Sequence, residues 1–433
     1  MSKIGYDVLF GNCLETMNAI EDESIDTCIT SPPYYGLRDY GTAEWEGGDP
    51  NCEHTISMDA KWNDPKRGKN VLRPEVAHRG GKSNACLKCG ATRIDEQIGL
   101  EDTPEQFIEN LVEVFRLVKR KLKPTGTLWL NIGDSYWGDK GRSGAKTDRT
   151  HEEIKPKDLI GIPWMLAFAL RADGWHLRQD IIWSKPNCMP ESVRDRCTKS
   201  HEYIFLLTKS KSYFYDHEAI KEPTGDLKSK RNKRSVWHIS PKPYKEAHFA
   251  VFPPDLIEPC IRAGSSEKGC CGECGSPYTR IRNDWQPSCE CFGELVMEEV
   301  VIPAEMTPAQ VAKTTWGVTT KGEYFGDNQK DYESSMAQPA SDVKKRIIEN
   351  KTKDRIKIMQ IYKSDMPLDE HPVVPSVVLD PFGGSGTTAG VAIKNNRKAI
   401  LCELNEDYID LMEDRIASIS NGWRPGQLTL GDF

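Results

Sequence analysis

An apolar strand, a glycine-rich turn and the start of a helix follow one another in Val377-Val378-Leu379-Asp380-Pro381-Phe382-Gly383-Gly384-Ser385-Gly386-Thr387-Thr388. The helix is predicted to run from Ala389 to Asn395, and a second strand, Lys398 to Cys402, then ends at Glu403. A strand, glycine loop, helix, strand and acid in this order is typical of a doubly wound sheet that binds a nucleotide-like ligand. Glycines let such a ligand approach the backbone, and Glu403 is placed to accept hydrogen bonds from ribose hydroxyls. The stretch lacks the Gly-Lys-Ser/Thr ending of a phosphate-binding loop, which argues against a nucleoside triphosphate.

A second informative stretch, Thr30-Ser31-Pro32-Pro33-Tyr34-Tyr35, follows the apolar run Ile25 to Ile29. Proline has no backbone N–H and cannot extend a sheet ladder. The carbonyl of a proline, and that of the residue before it, remain free to accept hydrogen bonds. The aromatic ring that follows can stack on a flat ligand. The stretch therefore predicts a site for a planar amino group, such as the exocyclic amine of a base. Considered alone, it is equally compatible with a rigid turn at the end of a strand.

Together the two stretches resemble the amino-methylating DNA methyltransferases, which use S-adenosylmethionine. The catalytic signature of that family, Asp/Asn/Ser-Pro-Pro-aromatic, is matched by Ser31 to Tyr34, and its cofactor signature, Phe-x-Gly-x-Gly, by Phe382 to Gly386. The catalytic motif precedes the cofactor loop, which is the order of the beta group. The resemblance covers most of the chain, and Gly36-Leu37-Arg38-Asp39-Tyr40 is most similar to phage and prophage members. It implies an α/β fold, a Rossmann-like doubly wound and mostly parallel sheet, as does the alternation of apolar strands with helices.

The resemblance also assigns roles to individual residues. Ser31, Pro32, Pro33 and Tyr34 are the expected catalytic residues: the Ser31 side chain and the Pro32 carbonyl would accept hydrogen bonds from the amine, and Tyr34 would stack on a base flipped out of the duplex. Asp380 and Glu403 are expected to hold the amino-acid and ribose parts of the cofactor. The full set of expected cofactor-binding residues is Asn12, Phe252, Asp380, Phe382, Gly384, Ser385, Gly386, Thr387 and Glu403. Asn12 stands where the family often has an acid near the adenine.

The identity of the methylated base depends on one residue. Serine at the first position of the tetrad is commoner among the cytosine N4 enzymes of the resembled family, and aspartate among the adenine N6 enzymes. Ser31 therefore favours cytosine N4, with adenine N6 as the alternative. Carbon methylation of cytosine needs a cysteine nucleophile, which the tetrad lacks. Two further alternatives are methylation of RNA or of a protein glutamine, and a zinc-stabilised DNA-binding protein that has lost catalysis.

Cysteine spacing predicts two structural zinc sites. The chain has 14 cysteines, and without a secretory signal their pairing favours metal over disulfides. Four protein ligands complete the tetrahedral coordination of a zinc ion and leave no open position on the metal. Metal binding also allows a polar segment with little apolar core to fold. The predicted ligands of the first site are Cys52, His54, Cys86 and Cys89, and those of the second are Cys271, Cys274, Cys289 and Cys291. Cys270 adjoins the second set and is an alternative ligand, but Cys271 is preferred because it forms the Cys-x2-Cys-Gly turn.

Double-stranded DNA is the partner that the resemblance implies, although the net charge of −7 does not itself favour a polyanion. The local distribution of charge matters more. The densest basic run lies in the segment 209–240, where the family places target recognition. Its predicted DNA-binding residues are Lys228, Lys230, Arg231, Lys233 and Arg234. The resemblance further implies that the chain can form a homodimer.

The 433 residues fit one elaborated α/β domain with insertions. The catalytic part is predicted over 1–45 and 97–263, zinc-binding insertions over 46–96 and 264–375, and the cofactor-binding part over 376–433. No stretch is apolar enough to span a membrane and the amino terminus carries no signal peptide, so a cytoplasmic protein is expected. Within the second insertion, the charged segment Ser341 to Met359 is predicted to form an exposed helix.

Overall fold

The computed structural model describes residues 5–36, 42–54, 85–86, 88–138, 151–224, 229–242, 251–281, 284–302, 355–364, 367 and 369–422. The chain divides into two compact units. The larger comprises Met1–Trp285 and Pro372–Phe433, and the smaller Gln286–His371.

The described strands and helices are numbered in chain order. The strands are β1 (Tyr6–Phe10), β2 (Ile25–Thr30), β3 (Glu44–Glu46), β4 (Thr92–Ile94), β5 (Leu122–Ile132), β6 (His176–Ser184), β7 (His201–Thr208), β8 (Glu222–Pro223), β9 (Lys230–Arg231), β10 (Val236–His238), β11 (Cys270–Cys271), β12 (Tyr278–Ile281), β13 (Asp284–Pro287), β14 (Glu294–Ile302), β15 (Arg355–Lys363), β16 (Val373–Val374), β17 (Val377–Asp380) and β18 (Lys398–Glu403). The α-helices are α1 (Cys13–Thr16), α2 (Pro104–Lys121), α3 (Ile162–Ala172), α4 (Pro254–Gly264), α5 (Thr387–Lys394) and α6 (Ile409–Ile419). Short 3₁₀ turns occupy Met17–Ala19, Glu218–Ile220 and Glu406–Tyr408.

An eight-stranded sheet forms the centre of the larger unit, in the order β1-β18-β17-β2-β5-β7-β6-β10. The strands from β1 to β5 in this order pair in parallel. Strand β7 runs antiparallel to both β5 and β6, and β10 pairs in parallel with β6. Within the same unit, β3 pairs antiparallel with β4, and β8 pairs antiparallel with β9. Residues 47–91 join the strands of the first pair, which is called the β3–β4 hairpin.

Helices cover both faces of this sheet. In β5, Leu128 and Leu130 belong to a core that includes α2 and α3, whereas Trp129 belongs to a second core that includes α4, α5 and α6. Side chains of successive strand residues point to opposite faces, so the strand is buried on both sides. The predicted α/β fold, a mostly parallel doubly wound sheet, is confirmed.

Helix α2 shows how local sequence sets an element that packs on the sheet. Its cap residue Thr103 accepts a hydrogen bond from the backbone N–H of Gln106 at 3.3 Å, and Pro104 occupies the first position, where a missing N–H costs nothing. Phe107 and Leu111, four residues apart on one face, are fully buried. The predicted amphipathic helix is therefore present and carries its apolar face to the sheet.

The smaller unit corrects one expectation. Residues 355–359, predicted to end an exposed helix, belong to strand β15, which pairs antiparallel with β14. Isoleucines at 356 and 358 alternate with charged residues, and this period of two is that of a strand. The charge content of the segment suggested a solvated helix, but the alternation decides its structure. The rest of the predicted helix, 341–354, lies outside the described residues. None of the helices described here combines the length and apolar character needed to cross a bilayer.

Candidate active site and metal centre

The ends of several strands converge on one edge of the sheet. The carboxyl ends of parallel strands meet at the same edge, where open α/β sheets bind their ligands. Because β7 is antiparallel, it brings its first residues, rather than its last, to this edge. A cavity of about 460 Å³ lies there, a size usual for a small-molecule site.

Most of the predicted site residues line this cavity. They are Ser31, Pro32, Pro33 and Tyr34 from the segment after β2, Asn12 from the turn after β1, Phe252 before α4, Phe382, Gly384, Ser385 and Thr387 from the glycine loop, and Glu403 at the end of β18. The two stretches that carry the resemblance are therefore adjacent in space although they lie at opposite ends of the sequence. Asp380 and Gly386 are absent from the lining.

The glycine loop has a backbone shape that leaves room for a ligand. Gly384 has a φ of +50°, and a Cβ placed on it would meet only the Phe382 carbonyl, at 3.9 Å. Its N–H donates a 2.7 Å hydrogen bond to Oε2 of Glu403. Gly386, with a φ of +76°, instead begins α5, and a Cβ there would lie 3.1 Å from Ile416 of α6. Gly384 therefore faces the open side of the loop, whereas Gly386 allows the turn and the packing behind it.

Glu403 is held in place by backbone groups. Besides Gly384, the N–H of Asn405 donates to Oε1 at 2.9 Å, and the Glu403 carbonyl accepts from the N–H of Gly11 at 2.9 Å. Burial raises the pKa of Glu403 above its ordinary value. Each carboxylate oxygen retains a lone pair that can accept a further hydrogen bond. The acid is thus oriented in the cavity wall and able to accept from a ligand hydroxyl.

Asp380 lies beneath the cavity and corrects the expectation that it touches a cofactor. Its side chain is 1% exposed. Thr30 donates to its Oδ1 and Thr388 to its Oδ2, each at 2.6 Å, and the N–H of Phe382 also reaches Oδ1 at 3.1 Å. Burial raises the pKa of Asp380 to about 7, against the lowering effect of these hydrogen bonds. The carboxyl group joins the surrounding segments and does not line the cavity.

Asn12 has a local structural role in addition to lining the cavity. Its Oδ1 accepts from the N–H of Leu14 at 3.0 Å and so caps α1. Its Nδ2 donates to Oε2 of Glu96 at 3.0 Å. The amide is therefore fixed in one orientation, and the polar atoms predicted to face an adenine edge are already engaged within the protein.

Tyr34 belongs to a cluster of polar side chains that was not predicted from the sequence. Its hydroxyl donates to Oε2 of Glu202 at 2.8 Å and lies 3.3 Å from Oδ1 of Asn131. Its ring lies against Gly133, since a Cβ there would be 2.5 Å from the ring. Lys185 forms an ion pair with the other oxygen of Glu202, and these residues also line the cavity. The sequence signal was their position near strand ends, since Asn131 is the next-to-last residue of β5, Glu202 is the second residue of β7 and Lys185 follows β6.

The first predicted metal site is assembled. One ligand atom from each of Cys52, His54, Cys86 and Cys89 lies within 4.8 Å of the others. The Cys52 and Cys86 sulfurs are 3.9 Å apart, and the Cys89 sulfur lies 3.3 Å from Nδ1 of His54. Zn–S bonds of about 2.3 Å in a tetrahedron separate two sulfurs by roughly 3.8 Å, so the donor set fits zinc.

The backbone supports the same conclusion. Gly90, with a φ of +76°, donates its N–H to the carbonyl of Cys86 at 2.9 Å, which turns the chain so that Cys86 and Cys89 point the same way. The Cys271-x2-Cys274-Gly275 segment makes the same turn, since the N–H of Gly275 donates to the Cys271 carbonyl at 2.9 Å. Cys271 and Cys274 belong to the larger unit, and Cys289 and Cys291 to the smaller one. The second zinc site stays a prediction from the spacing.

The basic run is partly engaged with an acid. Arg231 in β9 donates to Glu222 in β8 at 2.8 Å, and Arg234 lies 3.9 Å from the same carboxylate. The Lys233 amine sits 4.8 Å over the Trp237 ring, and Lys230 is exposed. Lys228 lies outside the described residues.

The chain is similar in sequence to known DNA methyltransferases. A family model described as DNA methylase, of the N6 and N4 type, matches residues 25–272 and 328–414. The type II methyltransferase M.SmaI of Serratia marcescens is 45% identical over 274 residues, which are 60% of this chain and 76% of that protein. M.Cfr9I of Citrobacter freundii is 42% identical over 272 residues, 60% of this chain and 73% of that protein.

Among solved structures, the PvuII DNA methyltransferase (cytosine-N4-specific) has a TM-score of 0.45 at 13% identity, covering 98% of this chain and 95% of that one. The similarity to phage and prophage members stays a prediction. The family match and the relatives show that this chain belongs to the N6/N4 amino-methylating family of S-adenosylmethionine-dependent DNA methyltransferases.

Proposed function

We propose that this protein transfers a methyl group from S-adenosylmethionine to the N4 amine of a cytosine flipped out of duplex DNA. The observation that carries the proposal is the shared cavity: Ser31, Pro32 and Tyr34 line the same space as Phe382 and Glu403. A base amine and a cofactor methyl must meet for transfer to occur, and one cavity with both sets of residues allows this.

The cofactor end is the part of the cavity around the glycine loop. When bound, S-adenosylmethionine supplies an electrophilic methyl group on its sulfonium. Gly384 gives its backbone room, Glu403 accepts hydrogen bonds from the ribose hydroxyls, and the rings of Phe252 and Phe382 pack beside it. Ser385 and Thr387 complete this wall, whereas Asp380 and Gly386 hold the loop from behind.

The amine end is formed by the catalytic turn. An exocyclic amine is a poor nucleophile because its lone pair is conjugated with the ring. Ser31 Oγ and the Pro32 carbonyl accept hydrogen bonds from its two hydrogens, which helps the nitrogen become tetrahedral. Holding the nitrogen in line with the methyl supplies much of the rate. The C–N bond would form as the C–S bond breaks, with the electron pair going to sulfur to give S-adenosylhomocysteine, and the nitrogen would then release one proton to solvent water.

Tyr34 is the stacking platform for the flipped base, and Pro33 fixes the backbone turn between Pro32 and Tyr34. Its hydroxyl is held by Glu202, which is itself held by Lys185. Stacking of a base on an aromatic side chain is worth about 1–3 kcal/mol, independent of sequence. Glu202 and Lys185 are therefore positioning residues, because they hold the ring without contacting the amine.

The base is proposed to be cytosine because the first residue of the tetrad is Ser31, and serine at this position is commoner among the N4 enzymes of the family. DNA methylated by the protein is digested to nucleosides and analysed by mass spectrometry. N4-methylcytosine is expected, and Ser31→Ala should greatly reduce its yield. N6-methyladenine in its place would overturn the choice of base. No methylated nucleoside, with cofactor bound, would favour a DNA-binding protein without catalysis.

The segment 209–240 is proposed to contact the target DNA through its basic residues, and residues 1–45 and 97–263 with 376–433 to form the methyltransferase domain. The insertions at 46–96 and 264–375 are each proposed to hold one structural zinc ion. In the first, Cys52, His54, Cys86 and Cys89 leave no coordination position for substrate. Formation of a homodimer also remains a proposal.

A further inference from the structure

The hairpin that carries the first metal site also reaches the cavity. Cys52 and His54 follow β3 in the chain, and Cys86 and Cys89 precede β4, so the donors lie at one end of the β3–β4 hairpin. The residues at its other end line the cavity: Thr42 before β3, and Glu96, Gln97 and Ile98 after β4. None of these four belongs to either family motif. The insertion therefore contributes its own wall to the active site.

This wall is attached to the cofactor side of the cavity. Glu96 accepts a 3.0 Å hydrogen bond from Nδ2 of Asn12, 84 residues earlier in the chain. Asn12 lies in the turn after β1, and the neighbouring Gly11 donates its N–H to the carbonyl of Glu403. A displacement of Glu96 would thus leave Nδ2 of Asn12 without this acceptor, beside the proposed ribose acceptor Glu403.

The same wall supports the catalytic turn. The N–H of Gly36 donates to the carbonyl of Gly99 at 2.8 Å. Gly99 approaches so closely that a Cβ on it would lie 3.2 Å from the Tyr34 carbonyl and 3.3 Å from Pro33. Asp95 fixes the exit of the hairpin, since its Oδ1 accepts from Thr42 Oγ1 at 3.3 Å and from the N–H of Gln97 at 3.2 Å.

We propose that the metal-bound hairpin is a wall of the cofactor site, in which Glu96 positions Asn12 and the metal ion keeps residues 95–99 in place. The inference rests on the proposed function, because it assigns the cofactor to this cavity. It predicts that cofactor affinity depends on the Cys52, His54, Cys86 and Cys89 metal, although no metal ligand lines the cavity. Metal binding and folding of a small polar segment are coupled, which is the physical basis of this dependence.

The first test removes the contact without touching the metal. S-Adenosylhomocysteine, which needs no turnover to bind, is titrated into the metal-loaded full chain by calorimetry. Glu96→Ala should raise its Kd about fivefold, the effect of losing one hydrogen bond of ordinary net strength. Glu96→Gln should retain most of the affinity, because its amide oxygen can still accept from Asn12. Glu46→Ala, an exposed acid on β3 of the same hairpin, is the matched control and should bind as the wild type does.

The second test removes the metal. Cys89→Ser should lose the ion of this site, measured by elemental mass spectrometry, and raise the Kd for S-adenosylhomocysteine about tenfold or more. In this background Glu96→Ala should add little, because both changes act through the same wall. Thermal unfolding of each variant shows whether it is folded. If Cys89→Ser is unfolded, the Glu96 variants test the inference without it.

The outcomes separate the inference from the proposed function. If the wild type binds S-adenosylhomocysteine and Glu96→Ala binds it equally well, Glu96 does not position Asn12. If Cys89→Ser loses its metal and keeps full affinity, the hairpin is not a metal-dependent wall. If the wild type binds neither S-adenosylhomocysteine nor S-adenosylmethionine, the proposed function itself is wrong.

Discussion

The hydroxyl of Thr30 donates a 2.6 Å hydrogen bond to Oδ1 of Asp380, which is 350 residues away in the chain. Thr30 ends β2 directly before Ser31, the proposed amine acceptor, and Asp380 ends β17 directly before the glycine loop. The two strands are parallel neighbours in the sheet. Asp380 also accepts from Thr388 at the start of α5. One buried carboxyl group therefore joins the proposed amine end of the site to its cofactor end.

The first prediction tests this link. Thr30→Val keeps the shape of the side chain but removes the donor, and leaves an oxygen of Asp380 without that partner. The free energy of unfolding should fall by about 0.5–1.5 kcal/mol, the net contribution of one hydrogen bond, because Oδ1 of Asp380 still accepts from the N–H of Phe382. Turnover should fall as well, because Ser31 loses its fixed relation to the loop. Urea denaturation and steady-state kinetics measure both, and Thr30→Ser, which keeps a hydroxyl, is the control. Equal stability of the valine and serine variants would contradict the link.

The second prediction concerns pH. Burial raises the pKa of Asp380 from 3.8 to about 7, so between these values the folded state holds a proton that the unfolded state has released. The stability that the neutral carboxyl contributes is therefore full below pH 3.8 and is lost as pH rises through 7. Asp380→Asn cannot titrate. The free energy of unfolding of the wild type minus that of Asp380→Asn should fall by about 1.4 kcal/mol per pH unit between pH 4 and pH 7.

Urea denaturation at closely spaced pH values measures this difference. Asp26→Asn is not a suitable control, because that carboxylate is buried and paired with Lys123. Asp7→Asn is preferable, since Asp7 at the sheet edge is exposed and solvent screens its 2.8 Å pair with Lys398. Parallel pH profiles for wild type and Asp380→Asn would show that Asp380 titrates as in the unfolded chain.

The sequence allowed the meeting of the two motifs to be predicted, because parallel strands place their carboxyl ends at one edge. It did not reveal that Asp380 points away from the cavity, since a pattern gives the position of a residue at a strand end and not the partners of its side chain. Thr30 and Thr388, which engage it, carried no recognisable signal. Glu202 was missed because periodicity does not give strand direction, and only an antiparallel β7 brings its first residues to the site. Glu96 was missed because its segment belongs to an insertion.

The third prediction separates the ring of Tyr34 from its hydroxyl. Tyr34→Ala removes the stacking platform and should reduce turnover by about 5- to 150-fold, with the fold kept, since stacking contributes about 1–3 kcal/mol. Tyr34→Phe keeps the ring and loses the contacts of the hydroxyl with Glu202 and Asn131, so turnover should fall about tenfold. Single-turnover methylation measures both variants, and circular dichroism checks their folding. Wild-type turnover in Tyr34→Ala would remove this residue from the site.

Glu202→Gln provides a complementary change in the same cluster. Its amide oxygen can still accept from the Tyr34 hydroxyl, but the ion pair with Lys185 is lost. Turnover should therefore lie between those of wild type and Tyr34→Ala, and combination with Tyr34→Phe should be less than additive because the two side chains are in contact. Full additivity would show that Glu202 acts independently of the ring.

The fourth prediction tests DNA contact by the basic run. Lys230 is exposed in β9, and if it neutralises a phosphate, Lys230→Gln should weaken binding to duplex DNA at all sequences. The slope of log K against log salt should become shallower by about 1, because one fewer counterion is released. Lys398→Gln changes the net charge equally, but Lys398 begins β18, at the opposite end of that strand from Glu403 in the cavity. It should leave the slope unchanged. Equal slopes for both variants and wild type would show that Lys230 does not contact the phosphate backbone, and the recognition surface would then have to lie elsewhere in the chain.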